Sequence, residues 1–252
     1  MTDFQSGHKC VKIVDTELRE VVSRAVLPGC PYGVCVLPHD QALVTLPYQS
    51  LLQFLDIKND RVAKGRAMKM TGKCYGVAYC RNKLIVSYHG PPKVEILTLK
   101  GQVIYSIDGA GNGLPLFKYP NYITVGYDGD SDVIYVSDRG TDAITQINIH
   151  GHITATLRNK AVSLPYGLCT VGHGVFVCAY GNSKVYAYDR TKTPELGSSV
   201  GHALECVLKA TDGAQFPVCA SFDQTQGKLY VGCYNGEKSS PINNEIQVFM
   251  VK

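Results

Sequence analysis

Apolar residues in this chain come in short runs closed by small or polar residues, and the runs repeat at a fixed offset. Leu84-Ile85-Val86-Ser87-Tyr88-His89-Gly90 is followed by Lys93-Val94-Glu95-Ile96-Leu97 and then by Gly101-Gln102-Val103-Ile104. Fifty positions on, with no gap, stand Ile134-Tyr135-Val136-Ser137-Asp138-Arg139-Gly140, Ala143-Ile144-Thr145-Gln146-Ile147 and Gly151-His152-Ile153-Thr154. Val175-Phe176-Val177-Cys178-Ala179-Tyr180-Gly181 and Lys184-Val185-Tyr186-Ala187-Tyr188 keep the first part of the same unit. Runs this short, rich in β-branched and aromatic residues and bounded by turn residues, predict strands. A period of roughly 40–50 residues with about four strands per unit predicts an all-β propeller.

Each unit reads as strands a to d from the axis outward. Strand a opens on an aromatic turn: Pro31-Tyr32-Gly33-Val34, Cys74-Tyr75-Gly76-Val77, Asn121-Tyr122-Ile123, Pro165-Tyr166-Gly167-Leu168 and Phe216-Pro217-Val218. Strand b (Ala42–Thr45, Leu84–Ser87, Ile134–Ser137, Val175–Cys178, Leu229–Gly232) always ends on a small residue, as expected where blades approach closely and a large side chain would overpack. Strand c recurs near Val11, Leu52, Val94, Ile144, Val185 and Ile246. Strand d follows at Val21–Leu27, Arg66–Met70, Gln102–Ile107, His152–Leu157 and Ala203–Leu208. One propeller domain over 1–252 is expected, with a partial first blade at 1–29 and blades near 30–72, 73–118, 119–163, 164–213 and 214–252. Two arrangements fit this tally. Either the first blade is truncated, giving five blades or five and a half, or five blades close with Val21–Leu27 as the missing strand d of the last.

Composition narrows the class. The chain has 252 residues, 45% of them hydrophobic, enough for an ordinary soluble core. No apolar run reaches the roughly 18 residues of a membrane-spanning helix, so no membrane association is expected. The opening Met1–Lys9 is polar, unlike a secretory leader. Cys35, Cys169 and Cys219 fall at a repeat position that also holds Ala78 and Thr124, which predicts buried, reduced thiols and a cytoplasmic location. No Cys-x-x-Cys pair occurs. Net charge is +4, with 15 Lys/Arg against 9 Asp/Glu in residues 1–126. The sharpest cluster runs from Lys58 through Arg61, Lys64, Arg66, Lys69 and Lys73 to Lys83. It is either a patch for an anionic partner, centred on Lys64, Arg66 and Lys69, or an outer edge strand protected by its charges, and the second is favoured.

The run Lys9-Cys10-Val11-Lys12-Ile13-Val14-Asp15, then Glu20–Gly29, then Pro31-Tyr32-Gly33-Val34-Cys35, resembles the propeller of NHL-repeat proteins. So do Cys74–Tyr79, Lys83–Tyr88 and the Gly-rich Gly109–Gly113 followed by Phe117 and Pro120. The resemblance is greatest to the C-terminal propellers of invertebrate tripartite-motif proteins and covers roughly residues 8–251. It implies a six-bladed circle and a recognition module for a protein or RNA target, within a parent that could act as a ubiquitin ligase. The RING, B-box and coiled coil of that family are not in this sequence. The chain itself is therefore expected not to be an enzyme, and it encodes no expected oligomerisation element.

Catalytic alternatives have less support in the residues. Six-bladed hydrolases of the lactonase and esterase kind hold an axial divalent cation through oxygen ligands. Among the strand-a openings only Asn121 offers one, so neither metal nor cofactor is expected. His150 and His152 share a strand face but are better placed as c–d turn residues. Asp128-Gly-Asp130-Ser-Asp132 starts like a calcium loop, lacks its later ligands, and sits where an a–b hairpin must turn.

The d–a and b–c connections of a propeller emerge on one face, which is the expected ligand face. There Tyr48, His89, Arg139, Tyr180 and Tyr234, with Lys184 nearby, join the strand-a aromatics. Aromatics with scattered cations suit stacking on looped RNA and suit a protein hot spot equally well. No DNA partner is expected.

Overall fold

A computed structural model describes residues 2–3, 9–109, 114–128, 131–189, 204–234 and 245–250. Strands account for nearly all regular structure; the helical pieces among the described residues are single 3-10 turns at Pro47–Gln49, Tyr180–Asn182 and Ala210–Asp212. Among the described residues no helix is long and apolar enough to cross a membrane. The chain divides into two compact units, Met1–Leu116 and Phe117–Lys252.

The first unit holds three antiparallel sheets. β1 (Thr2–Asp3), β2 (Cys10–Asp15) and β3 (Glu20–Val26) form the first. β4 (Val34–Leu37), β5 (Gln41–Leu46), β6 (Leu51–Lys58) and β7 (Arg61–Lys69) form the second. β8 (Cys74–Cys80), β9 (Lys83–His89), β10 (Pro92–Thr98) and β11 (Val103–Ile107) form the third. The core lies between neighbouring sheets. Leu43, Leu52, Leu84, Val86 and Tyr88 pack in one layer, and Val11, Leu27, Val44 and Leu55 in another.

The second unit repeats the plan. β12 (Pro120–Asp128), β13 (Ser131–Asp138), β14 (Ala143–Asn148) and β15 (Ile153–Arg158) are followed by β16 (Pro165–Val171), β17 (Gly174–Ala179), β18 (Lys184–Asp189) and β19 (Leu204–Lys209). β20 (Pro217–Asp223), β21 (Lys228–Cys233) and β22 (Glu245–Met250) close the series.

Five sheets open on an inner strand, namely β4, β8, β12, β16 and β20, and these are five propeller blades. The β1–β3 sheet lacks such a strand among the described residues. Val21–Leu27 does not complete the last blade: β3 pairs with β2 and packs on β7, where Ser23 Oγ accepts the Val62 N–H at 3.1 Å. Its one paired edge is therefore engaged with β2, within the first unit.

Three other expectations fall in these strands and connections. Asp128 pairs with Ser131 across β12 and β13, and Gly129 and Asp130 between them lie outside the described residues. Positions 110–113 of the Gly-rich connection also lie outside them. His150 and His152 sit in a c–d turn whose backbone amides are capped by the Asn148 side chain at 3.0 Å each.

Candidate functional site: aromatic and cationic side chains on the blade connections

The small residue ending strand b is a latch in three of the five blades. Thr45, Ser87, Ser137, Cys178 and Gly232 occupy one register position, opposite Leu52, Val94, Ile144, Val185 and Ile246 of their strand c. Where the residue has a hydroxyl, that hydroxyl is fully buried and ties down strand a. Thr45 Oγ1 accepts the Gly33 N–H at 2.8 Å and donates to the carbonyl of Tyr75, in the next blade, at 2.6 Å. Ser87 Oγ accepts the Gly76 N–H at 2.9 Å. Ser137 Oγ accepts the Tyr122 N–H at 3.3 Å and donates to the Tyr166 carbonyl, again one blade on, at 2.6 Å.

The approach is close enough to demand glycine at strand a. A Cβ on Gly33 would stand 2.6 Å from the Tyr75 carbonyl oxygen, and one on Gly167 would stand 2.9 Å from that of Val218. The pairing register slips at the same places, between Cys74 and Val77, Pro120 and Tyr122, Pro165 and Leu168, and Pro217 and Cys219. Such bulges re-aim side chains. Here they fall at or beside the aromatic that opens four of the five inner strands; β4 pairs with β5 without a slip.

In the first unit the strand-a rings pair. Tyr32 meets Tyr75 edge-on at 5.0 Å, and Tyr75 stacks flat on His89 with centroids 3.5 Å apart and planes 13° from parallel. Tyr48 is not part of this stack. His89, Arg139, Tyr180 and Tyr234 all stand two residues beyond a latch position, and Pro47 holds the matching place in its blade. Tyr48 lies one residue later, in a 3-10 turn, 62% exposed, with Lys73 Nζ 5.7 Å over its ring.

In the second unit a row of rings runs from Tyr122 to Tyr166 (6.2 Å), on to Tyr180 (5.1 Å) and on to Phe216 (5.4 Å). Phe216 is 40% exposed. The Tyr234 N–H donates to the Phe216 carbonyl at 3.0 Å, and the Phe216 N–H to Ser183 Oγ at 3.1 Å. Burial, with the Tyr166 and Tyr234 hydroxyls adding to it, raises the Tyr180 pKa. Lys184 opens β18, paired with Ala179 and Lys209, and is half-buried.

Arg139 sits at the side of this row. Its guanidinium carbon lies 5.2 Å over the Tyr119 ring and 5.7 Å over Tyr166, and a terminal N–H donates to the Tyr166 hydroxyl at 3.1 Å. Its Nε is sheltered and meets no acceptor. Lys93 is ion-paired with Glu95, whereas Arg139 has no carboxylate partner among the described residues.

Sequence reasoning missed two residues that hold this arrangement. Asp138, fully buried, accepts N–H bonds from Lys118 (2.6 Å), Tyr119 (2.9 Å) and Gly140 (2.8 Å), clamping the d–a connection onto the b–c turn. Tyr119 is the ring so positioned. The available signal was a carboxylate directly after the latch, where other blades have Leu46, Tyr88, Ala179 and Cys233.

Arg61, Lys64, Arg66 and Lys69 of the basic cluster lie on β7, the outermost strand of its sheet, as an edge strand would, while Lys58 is on β6 and Lys83 on β9. Two of its three central cations are tied into the architecture. Arg66 lies 3.6 Å over the Phe54 ring and donates to the Leu99 carbonyl at 2.9 Å, and Lys69 Nζ donates to the Gln49 carbonyl at 3.0 Å. Lys64 remains exposed.

The cysteines are free thiols. Cys169 is buried as expected, Cys35 is half-buried, and Cys219, on the inner strand β20, is exposed. Burial pushes the Cys74 thiol from 9.0 up to about 11. Burial, with the Cys219 thiol adding to it, pushes Cys169 up to about 12. Among the described residues no three His, Cys, Asp or Glu side chains gather as a metal site.

No protein-family model and no curated protein matches the sequence. Solved structures do. A Bacteroides caccae protein of unknown function aligns with a TM-score of 0.65 and 15% identity over 92% of this chain and 81% of its own. A functionally unknown protein from Desulfotomaculum acetoxidans aligns at 0.63 and 13%, over 98% and 77%. Virginiamycin B lyase from Staphylococcus aureus aligns at 0.63 and 12%, over 97% and 78%. At this identity the likeness shows the β-propeller fold and nothing about chemistry.

Proposed function

We propose that this chain is a target-recognition module that binds RNA or protein through its d–a and b–c connections, with Arg139, Tyr180, His89, Lys184, Tyr234 and Tyr48 as contacts. The observation carrying the proposal is Arg139: a cation held between two tyrosine faces, without a carboxylate partner among the described residues, beside a partly exposed aromatic row. Flat rings and a poised guanidinium recognise bases and phosphates together. The run of Tyr166, Tyr180 and Phe216 favours a protein hot spot as the second reading.

The NHL type is part of the same proposal. Thr2 pairs with Val11 as Ser87 pairs with Val94, so β1–β3 has the register of strands b, c and d of a sixth blade. Val34 and Val36 of β4 are 41% and 74% exposed, beside a sheet that has no inner strand among the described residues. A tripartite-motif-like parent in the cytoplasm, with this propeller choosing targets for ubiquitination, follows from the resemblance.

Salt titration of bound target separates the readings. An RNA target gives a steep slope that flattens in Arg139→Ala/Lys184→Ala, by about 0.7 per lost phosphate contact. A protein target gives little slope and a loss on Tyr180→Ala alone. The hydrolase alternative requires stoichiometric divalent metal after purification together with lactone or ester turnover; finding both would replace the recognition proposal.

A further inference from the structure

Among the described residues five strands end their sheets at the d position, and four carry charge: Glu20 and Arg24 on β3; Arg61, Lys64, Arg66 and Lys69 on β7; Arg158 on β15; Glu205 and Lys209 on β19. The fifth, β11, reads Val103-Ile104-Tyr105-Ser106-Ile107 and carries none. It is paired on one side only, with β10. Val103, Ile104 and Tyr105 are 51%, 38% and 37% exposed. A strand edge presents N–H and C=O groups ready to pair with another strand, and charge or proline is the usual protection. β11 has neither.

We propose that β11 is a self-association edge, pairing antiparallel with β11 of a second copy of this chain. Identical neutral strands oppose no like charges. The flanking charges select the orientation. Exposed Lys100 precedes the strand and exposed Asp108 follows it. An antiparallel two-fold pair sets the Lys100 end of each copy against the Asp108 end of the other, and the contact is made twice. A parallel pair would oppose lysine to lysine, and a partner of uniform charge would gain at one end and lose at the other. Pairing of so short a strand buries well under the roughly 1,200 Å² of a stable interface, so the dimer is weak and concentration-dependent. This site is independent of the connection face and departs from the expectation that the chain encodes no oligomerisation.

Sedimentation velocity over a wide concentration range tests it. The wild-type chain shows a sedimentation coefficient rising with concentration. Ile104→Lys, at an exposed position and so with an unchanged melting curve, weakens association by roughly tenfold or more, as edge lysines do. Lys100→Asp and Asp108→Lys each weaken it, and the double variant Lys100→Asp/Asp108→Lys restores it. A wild-type chain monomeric throughout overturns the proposal, as does an Ile104→Lys variant associating like wild type. A double variant that fails to recover overturns the antiparallel pairing.

Discussion

The Ser137 hydroxyl donates to the carbonyl of Tyr166 in the following blade at 2.6 Å while accepting the Tyr122 N–H of its own. One buried oxygen thus joins two inner strands at the point where each presents its aromatic side chain. Ser137→Ala leaves both backbone groups without that partner, a loss of about 1–3 kcal/mol for groups buried unsatisfied. Thr45→Val should behave alike in the first unit, because it keeps the shape and removes the same pair of bonds. Urea unfolding followed by circular dichroism measures both; an unchanged midpoint for both would mean that apolar packing alone holds the blades.

Asp138 should position Tyr119 and Arg139 without touching a ligand. Asp138→Ala removes three amide acceptors at once, so hydrogen exchange at Lys118, Tyr119 and Gly140 should quicken together. Asp138→Asn, which retains one acceptor oxygen, should give part of that effect. Unchanged exchange in Asp138→Ala would show that the loop is held by its packing on Gly140.

Alkaline stability carries a definite sign. In the unfolded chain Cys74 and Cys169 ionise near 9.0; in the folded chain burial holds them protonated to about 11 and about 12. Between those values the unfolded state binds fewer protons, so stability is intact below pH 9 and falls as pH rises toward 11–12. The slope is about 1.4 kcal/mol per pH unit per thiol at most. Melting temperature against pH should fall more gently for Cys74→Ala, relative to that variant's own value at neutral pH, than for wild type.

Arg66 should matter for packing more than for charge. Arg66→Ala loses the stacking on Phe54 and the Leu99 hydrogen bond, about 1 kcal/mol or more together, whereas Lys64→Ala should be nearly neutral. Thermal melts distinguish them; equal losses would contradict this division.

The fold was legible because the repeat is written in apolar runs: Leu84–Ser87 and Ile134–Ser137 are the same strand, and both form as expected. The small residue after each run was visible as a size constraint, but the hydrogen bonds of Thr45 and Ser137 to the following blade were not, since they depend on which carbonyl that blade brings near. Tyr48 was misaligned with Arg139 and Tyr180 for a related reason. Both connections make a 3-10 turn, but Tyr180 is the first residue of its turn and lies in the ring row, whereas Tyr48 is the second, behind Pro47, and faces solvent. Asp138 and Tyr119 escaped notice because their roles arise from a clamp between two connections 20 and 19 residues apart in sequence.

Quantitative capture of crosslinked RNA and protein from cell lysate, compared across three forms of the chain, tests most directly whether recognition resides on the blade connections. Wild type and Lys64→Glu/Arg66→Glu/Lys69→Glu should enrich the same targets, and Arg139→Ala/Tyr180→Ala should lose them while retaining the wild-type circular dichroism spectrum. Targets kept by Arg139→Ala/Tyr180→Ala and lost by a folded charge-reversed β7 would place recognition on the outer basic edge and contradict the assignment.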